Sequence, residues 1–164
     1  MKSIFIEVMK KNILFIFLSL LISCTKKSKG TPDELIHLNY NTSKGKQSIL
    51  VNPSQTKNCD IIEHNGIEFL ICYNTKSEKK IDYIFVKDKK YSTSENIKIG
   101  STYEDIMKIN PKAEIINIDG WAKVIYLPSK WIACFNYNEN VKNTSEVSYL
   151  YYWRQDMLTV KSVE

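Results

Sequence analysis

Thiols are the chemistry this chain offers. Its four cysteines stand at 24, 59, 72 and 134, beside only two histidines, His37 and His64. A thiol can be acylated, can pair oxidatively or can hold a metal, and spacing separates these uses. The chain has no Cys-x-x-Cys, no His-x-x-x-His and no glycine-rich phosphate loop, so zinc, redox-motif and nucleotide chemistry lack their signatures. Glu63, His64 and Glu68 are close in sequence, but neighbouring strand residues face opposite sides, so Glu63 and His64 do not converge on a metal. Nothing forms a nucleophile, base and orienter set. No catalytic residue, metal or cofactor is expected.

Cys24 is different because of what precedes it. The basic pair Lys10-Lys11 leads into an apolar run from Ile13 to Ser23, which is the pattern of a secretory signal. The residues Leu21-Ile22-Ser23-Cys24 resemble the bacterial lipobox. The resemblance covers the first two dozen residues. It implies a diacylglyceryl lipid on the Cys24 thiol, cleavage before Cys24 and acylation of the new amino terminus. A membrane-spanning helix would need about twenty apolar residues, and this run is roughly half that. Lys26, Lys27 and Lys29 follow at once, as suits a tether at an interface. Each buried methylene contributes about 0.8 kcal/mol, so two acyl chains anchor stably where one does not. Thr25 stands where an Asp, in some such lipoproteins, retains the product at an inner membrane. The expected location is therefore the cell envelope, on the periplasmic side of an outer membrane if the cell has one. Either Met1 or Met9 serves as start.

The expected organisation is a leader over 1–23, a lipidated flexible tether over 24–46 and a single domain over 47–164. Between Thr25 and Lys46 the residues are mostly Lys, Ser, Thr, Asn and Gly, too polar to offset their ordering entropy. Within that stretch Pro32 to Ile36 could begin a short helix. The net charge of +5 is spread among acids and includes Lys2, Lys10 and Lys11 of the leader. No basic surface for nucleic acid is expected.

Positioning falls to strands. Gln47 to Val51, Cys59 to His64, Ile67 to Tyr73, Ile81 to Val86 and Asn96 to Ile99 read as strands. After Pro111 so do Ala113 to Ile118, Ala122 to Leu127, Trp131 to Tyr137 and Ser145 to Trp153. Between them, Ser101 with Glu104 reads as a capping box. It opens a short helix, about 102–110, with Tyr103, Ile106 and Met107 as its apolar stripe. The fold class is α+β: a mainly antiparallel sheet with that helix packed on one face. The run Ile97 to Ile106 resembles the strand, glycine and capped-helix unit of small envelope modules, the outer-membrane assembly lipoproteins and the β-lactamase inhibitor fold among them. That resemblance covers about forty residues and implies a binding role by analogy.

Asn65-Gly66 between two apolar runs predicts a two-residue hairpin. His64 then faces Ile67, and counting outward places Cys59 opposite Cys72 at a non-hydrogen-bonded pair. There the Cα atoms approach to about 4.5 Å, within disulfide range. The same register sets Glu63 against Glu68, a like-charge pair. A Cys72–Cys134 bridge and free buried thiols are the alternatives.

The last third is aromatic. Trp121, Trp131, Tyr152 and Trp153 are candidates for an interaction surface, because a small sheet cannot bury every ring. Two functions fit. One is a non-catalytic, membrane-anchored module that binds another envelope protein, of assembly, inhibitor or immunity type. The alternative is an envelope enzyme or carrier acting on peptidoglycan, glycan or lipid, which requires a concave pocket.

Overall fold

Asn65 and Gly66 both adopt positive φ, 53° and 75°, the pairing that a two-residue hairpin demands. The register follows as expected, with His64 opposite Ile67 and Glu63 opposite Glu68. Cys59 and Cys72 form a disulfide with Cα atoms 4.3 Å apart. The structure, a computed structural model, describes residues 29–37, 43–74 and 77–154. The leader, Cys24 and the first part of the tether lie outside the described residues.

Two short strands, β1 (Lys29–Gly30) and β6 (Ser92–Thr93), pair in parallel. The other eight form one sheet, antiparallel throughout and curled into an open half-barrel. They are β2 (Lys46–Asn52), β3 (Gln55–His64), β4 (Ile67–Asn74), β5 (Ser77–Val86), β7 (Ile116–Ile118), β8 (Ala122–Tyr126), β9 (Ile132–Asn136) and β10 (Tyr149–Trp153). Their spatial order is β2-β3-β4-β5-β10-β9-β8-β7. The last strand in the sequence therefore lies inside the sheet. It sets Tyr151 opposite Phe85 on one side and opposite Ile132 on the other.

Alternation along the strands sorts the core into two faces. Ile71, Ile84, Phe135 and Leu150 point to the larger cluster, which Leu35, Tyr91, Ile97, Ile106 and Trp131 complete. Cys59, Cys72, Leu70 and Tyr83 occupy the opposite face, beside a second group of Val124, Ile132, Cys134 and Tyr151. Both sides of the sheet thus exclude water near its centre. Many antiparallel sheets leave one side wet.

Several elements differ from the sequence reading. Asn96 to Ile99 is a tight loop and not a strand: Thr93 N donates to Ile97 O at 2.8 Å, and Ile97 N donates to Thr93 Oγ1 at 3.2 Å. Asn96 itself has φ 70°. Ser145 to Val147 leaves the sheet to hydrogen-bond the Gly100–Tyr103 segment, with Val147 N donating to Ser101 O at 2.8 Å, and Ser148 N rejoins β9 by donating to Cys134 O at 2.8 Å. Part of the expected spacer is docked. Helix α1 (Pro32–Ile36) buries Leu35 to 3 % exposure, since one well-placed leucine outweighs a polar average.

Helix α2 (Tyr103–Ile109) begins one residue later than the sequence suggested. Thr102 is its N-cap, accepting from Asp105 N at 3.2 Å, while Asp105 accepts from Thr102 N at 3.0 Å. Ser101 is engaged elsewhere, its Oγ accepting from Lys98 N at 3.0 Å. These bonds hold the Asp105 carboxyl below its ordinary value. Ile106 is buried, and Tyr103 meets Phe135 edge-on at 6.2 Å. Replacing Thr102 with Ala is expected to cost about 1 kcal/mol, read as a lower denaturant midpoint with unchanged slope. Glu104→Ala, which removes only an exposed partner of Lys108, is expected to stay within about 0.5 kcal/mol.

Candidate interaction surface

Period-two alternation in β5 and β10 lifts Tyr83, Phe85, Tyr149, Tyr151 and Trp153 onto the face opposite the larger core cluster, and Trp121 joins them from the β7–β8 turn. Their rings form one connected series. Trp153 stacks on Tyr83 at 6.0 Å with planes 1° apart, and Tyr83 stacks on Phe85 at 6.5 Å. Phe85 lies 5.6 Å from Tyr151, and Tyr151 takes Trp121 edge-on at 5.2 Å. Tyr149 closes the group, 6.5 Å from Phe85 and 6.2 Å from Trp121. Offset and edge-on contacts of this kind add to the area term.

The series has two depths. Tyr151, at 1 % exposure, and Tyr83, at 6 %, are floor. Phe85, Trp121, Tyr149 and Trp153 are half-buried above them. Tyr126, 37 % exposed, lies beyond. Below the rings, burial pushes the Cys134 thiol well above its ordinary value, and a hydrogen bond with Tyr149 opposes this only in part. Burial likewise raises Tyr149 and Tyr151. The Tyr149 and Tyr151 hydroxyls and the thiol beneath them are therefore uncharged at neutral pH.

Charged pairs sit at both ends. At one end Lys57 Nζ donates to Asp82 Oδ2 at 2.6 Å, with side chains only 10 % and 18 % exposed. The ammonium also sits 5.1 Å from the centre of the Tyr83 ring, a cation–π contact. Asn74 adds a bond to Asp82 Oδ1 at 3.1 Å. At the other end Lys44 lies between Glu63 and Glu68, and Lys87 reaches Glu68 at 3.9 Å. Lys44 explains how the like-charge cross-strand pair is tolerated.

Two of the four aromatic residues singled out from sequence do not belong to this surface. Trp131 is fully buried on the helix-bearing face, where its Nε1 donates to Gly30 O at 3.2 Å and its ring meets Tyr91 edge-on at 5.4 Å. Tyr152 packs against that same cluster, as its parity in β10 requires. Trp121 and Trp153 do come together. Sequence reasoning missed Tyr83 and Phe85, whose alternation with Asp82 and Ile84 was the available signal. Among the described residues no group of three or more His, Cys, Asp or Glu is arranged to hold a metal ion. No helix among them is long and apolar enough to cross a membrane.

No family model matches the chain. No curated protein matches it. Among solved structures, that of the uncharacterized protein yfeY from Escherichia coli aligns over 79 % of this chain and 100 % of its own, at 13 % identity and a TM-score of 0.44.

Two measurements test the thiol chemistry. Cys134 is expected to resist iodoacetamide in the folded protein and to react once denatured, as intact mass would record. Removing the disulfide by the double change Cys59→Ala and Cys72→Ala is expected to cost about 3 kcal/mol, the value for a loop of this order.

Proposed function

We propose that this chain is a cell-envelope lipoprotein, anchored by lipid on Cys24, whose domain binds another envelope protein and catalyses no reaction. The membrane in question is the outer one, on its periplasmic side, where the cell has two. The observation that carries the binding role is the half-exposed ring series of Phe85, Trp121, Tyr149 and Trp153, whose packing partners among the described residues are strand residues and one another. Among the described residues, Leu35, Tyr91, Ile97 and Ile106 close over the other side of the sheet, and none closes over this one.

Its make-up supports a protein partner. Interfaces between proteins concentrate Trp, Tyr and Phe at a desolvated centre and place charged groups at the rim. Binding energy then concentrates in a few such anchors. Here the rings form the centre, and the Lys57–Asp82 and Lys44–Glu63 pairs mark the ends. A rigid floor limits the ordering cost of binding, because Tyr151 and the disulfide hold the strands beneath the rings.

The test is crosslinking capture from membranes, using the anchored protein and variants of the surface. Trp121→Ala and Trp153→Ala are each expected to weaken capture of the same partner by about 2 kcal/mol, roughly thirtyfold in affinity. Cys24→Ser is expected to leave the protein in the soluble fraction without the acyl mass. If both tryptophan variants recover the wild-type set of proteins, the surface is not the binding site. Saturable binding of isolated glycan strands in place of a protein would move the reading to a carrier.

A further inference from the structure

Gly30 ties the amino-terminal segment to the body of the domain. Its carbonyl accepts from Tyr91 Oη at 2.9 Å and from Trp131 Nε1 at 3.2 Å, both within the core. Lys29 and Gly30 pair with Ser92 and Thr93, and two turns later in the chain Leu35 is buried. The segment is thus held by backbone pairing, by two buried donors and by an apolar side chain.

Resting on the lipid reading of Cys24, we propose that this latch holds the domain against an anionic lipid surface with the Lys89-Lys90 turn toward the headgroups and the Gln55 end of β3 away from them. Covalent geometry sets the limit. From Cys24 to Lys29 is five residues, and a chain spans at most about 3.6 Å per residue, so the reach is about 18 Å in any conformation. A small domain is about 30 Å across. The point of attachment therefore cannot sit on the far side of the domain from the bilayer, which excludes the inverted pose and favours those with the Ser92 side toward the lipid. Lys89 and Lys90 are exposed just before β6, and lysines near such a surface are drawn to it. Nearby carboxylates are held within the fold: Asp88 accepts from Lys90 N at 2.8 Å, Glu34 from Thr31 N at 3.4 Å and Glu95 from Ser129 N, while Asp33 is paired with the Lys130 cation at 2.6 Å.

The experiment uses the full lipidated protein in phosphatidylethanolamine–phosphatidylglycerol vesicles that carry a nitroxide on a fraction of headgroups. A fluorophore is placed through Lys90→Cys or through Ser54→Cys, the latter in the turn at the opposite end of β3, about 30 Å away at the usual rise per residue. Loss of fluorescence is expected at position 90 and not at 54. A flexible Gly-Ser insert of about ten residues between Ser28 and Lys29 lengthens the reach. It is expected to restore fluorescence at 90 while the protein still sediments with vesicles. Equal quenching at the two positions, or quenching at 90 that survives the insert, overturns the latch orientation. A product that neither sediments nor carries acyl mass refutes the lipid anchor itself, and the orientation falls with it.

Discussion

Everything in this fold depends on β10 finding its place between β5 and β9. The sheet order joins a meander of β2 to β5 with a second group of β7 to β9, and β10 alone hydrogen-bonds to both. Its residues are divided between the two interiors. Leu150 enters the larger cluster, and Tyr151 enters the opposite one between Phe85 and Ile132. Losing either would damage the core on that side and loosen the junction of the halves. It also follows that the sheet cannot be completed until nearly the whole chain is available, since the pairing of Tyr151 with Phe85 closes a loop of more than sixty residues. Contacts at such separation are costly to form before they are rewarded.

Burial on both faces explains the choice of aromatic residues. A sheet flanked by helices on both sides could fill its second face with Leu and Val. Here no helix among the described residues covers the second face, so its side chains themselves shield the strands. Tyr and Trp do this with large flat areas while their polar atoms reach the boundary. The buried layer of Cys59, Cys72, Val124 and Cys134 is dry because rings lie over it. The disulfide then secures the β3–β4 pair, where the sheet approaches its outer edge.

What could be read from the sequence was what neighbouring residues decide among themselves. Asn65-Gly66 set the hairpin, and the hairpin set Cys59 against Cys72, because turn chemistry leaves one register. The strand segments were visible in their alternation. Strand order was not, since nothing local tells Tyr149 to Trp153 to enter between two distant partners. Neither could alternation show which face would hold a given ring. Trp131 precedes its strand and is turned inward by the bond from Leu127 N to Trp131 O at 2.8 Å. The helix start was misjudged by one residue because Ser101-x-x-Glu104 and Thr102-x-x-Asp105 compete. The second prevails where the Ser101 hydroxyl is already taken by Lys98 N.

The docked amino-terminal segment shows how a composition argument fails. Averaged from Thr25 to Lys46 the chain looks unable to bury anything, yet Thr31-Pro32-Asp33-Glu34 contains a capping box with proline in the first turn, a start signal in its own right. Gly30 completes the device. A Cβ there would collide with the Glu34 carboxylate that reaches back to Thr31 N, so a larger residue would displace the cap. The segment settles on the helix-bearing side, against Tyr91 and Trp131, whereas the exposed rings lie on the other side of the sheet. The two surfaces do not compete for the same ground. The same strand alternation that separates Leu150 from Tyr151 therefore keeps the amino-terminal segment and the ring series on opposite sides of the sheet.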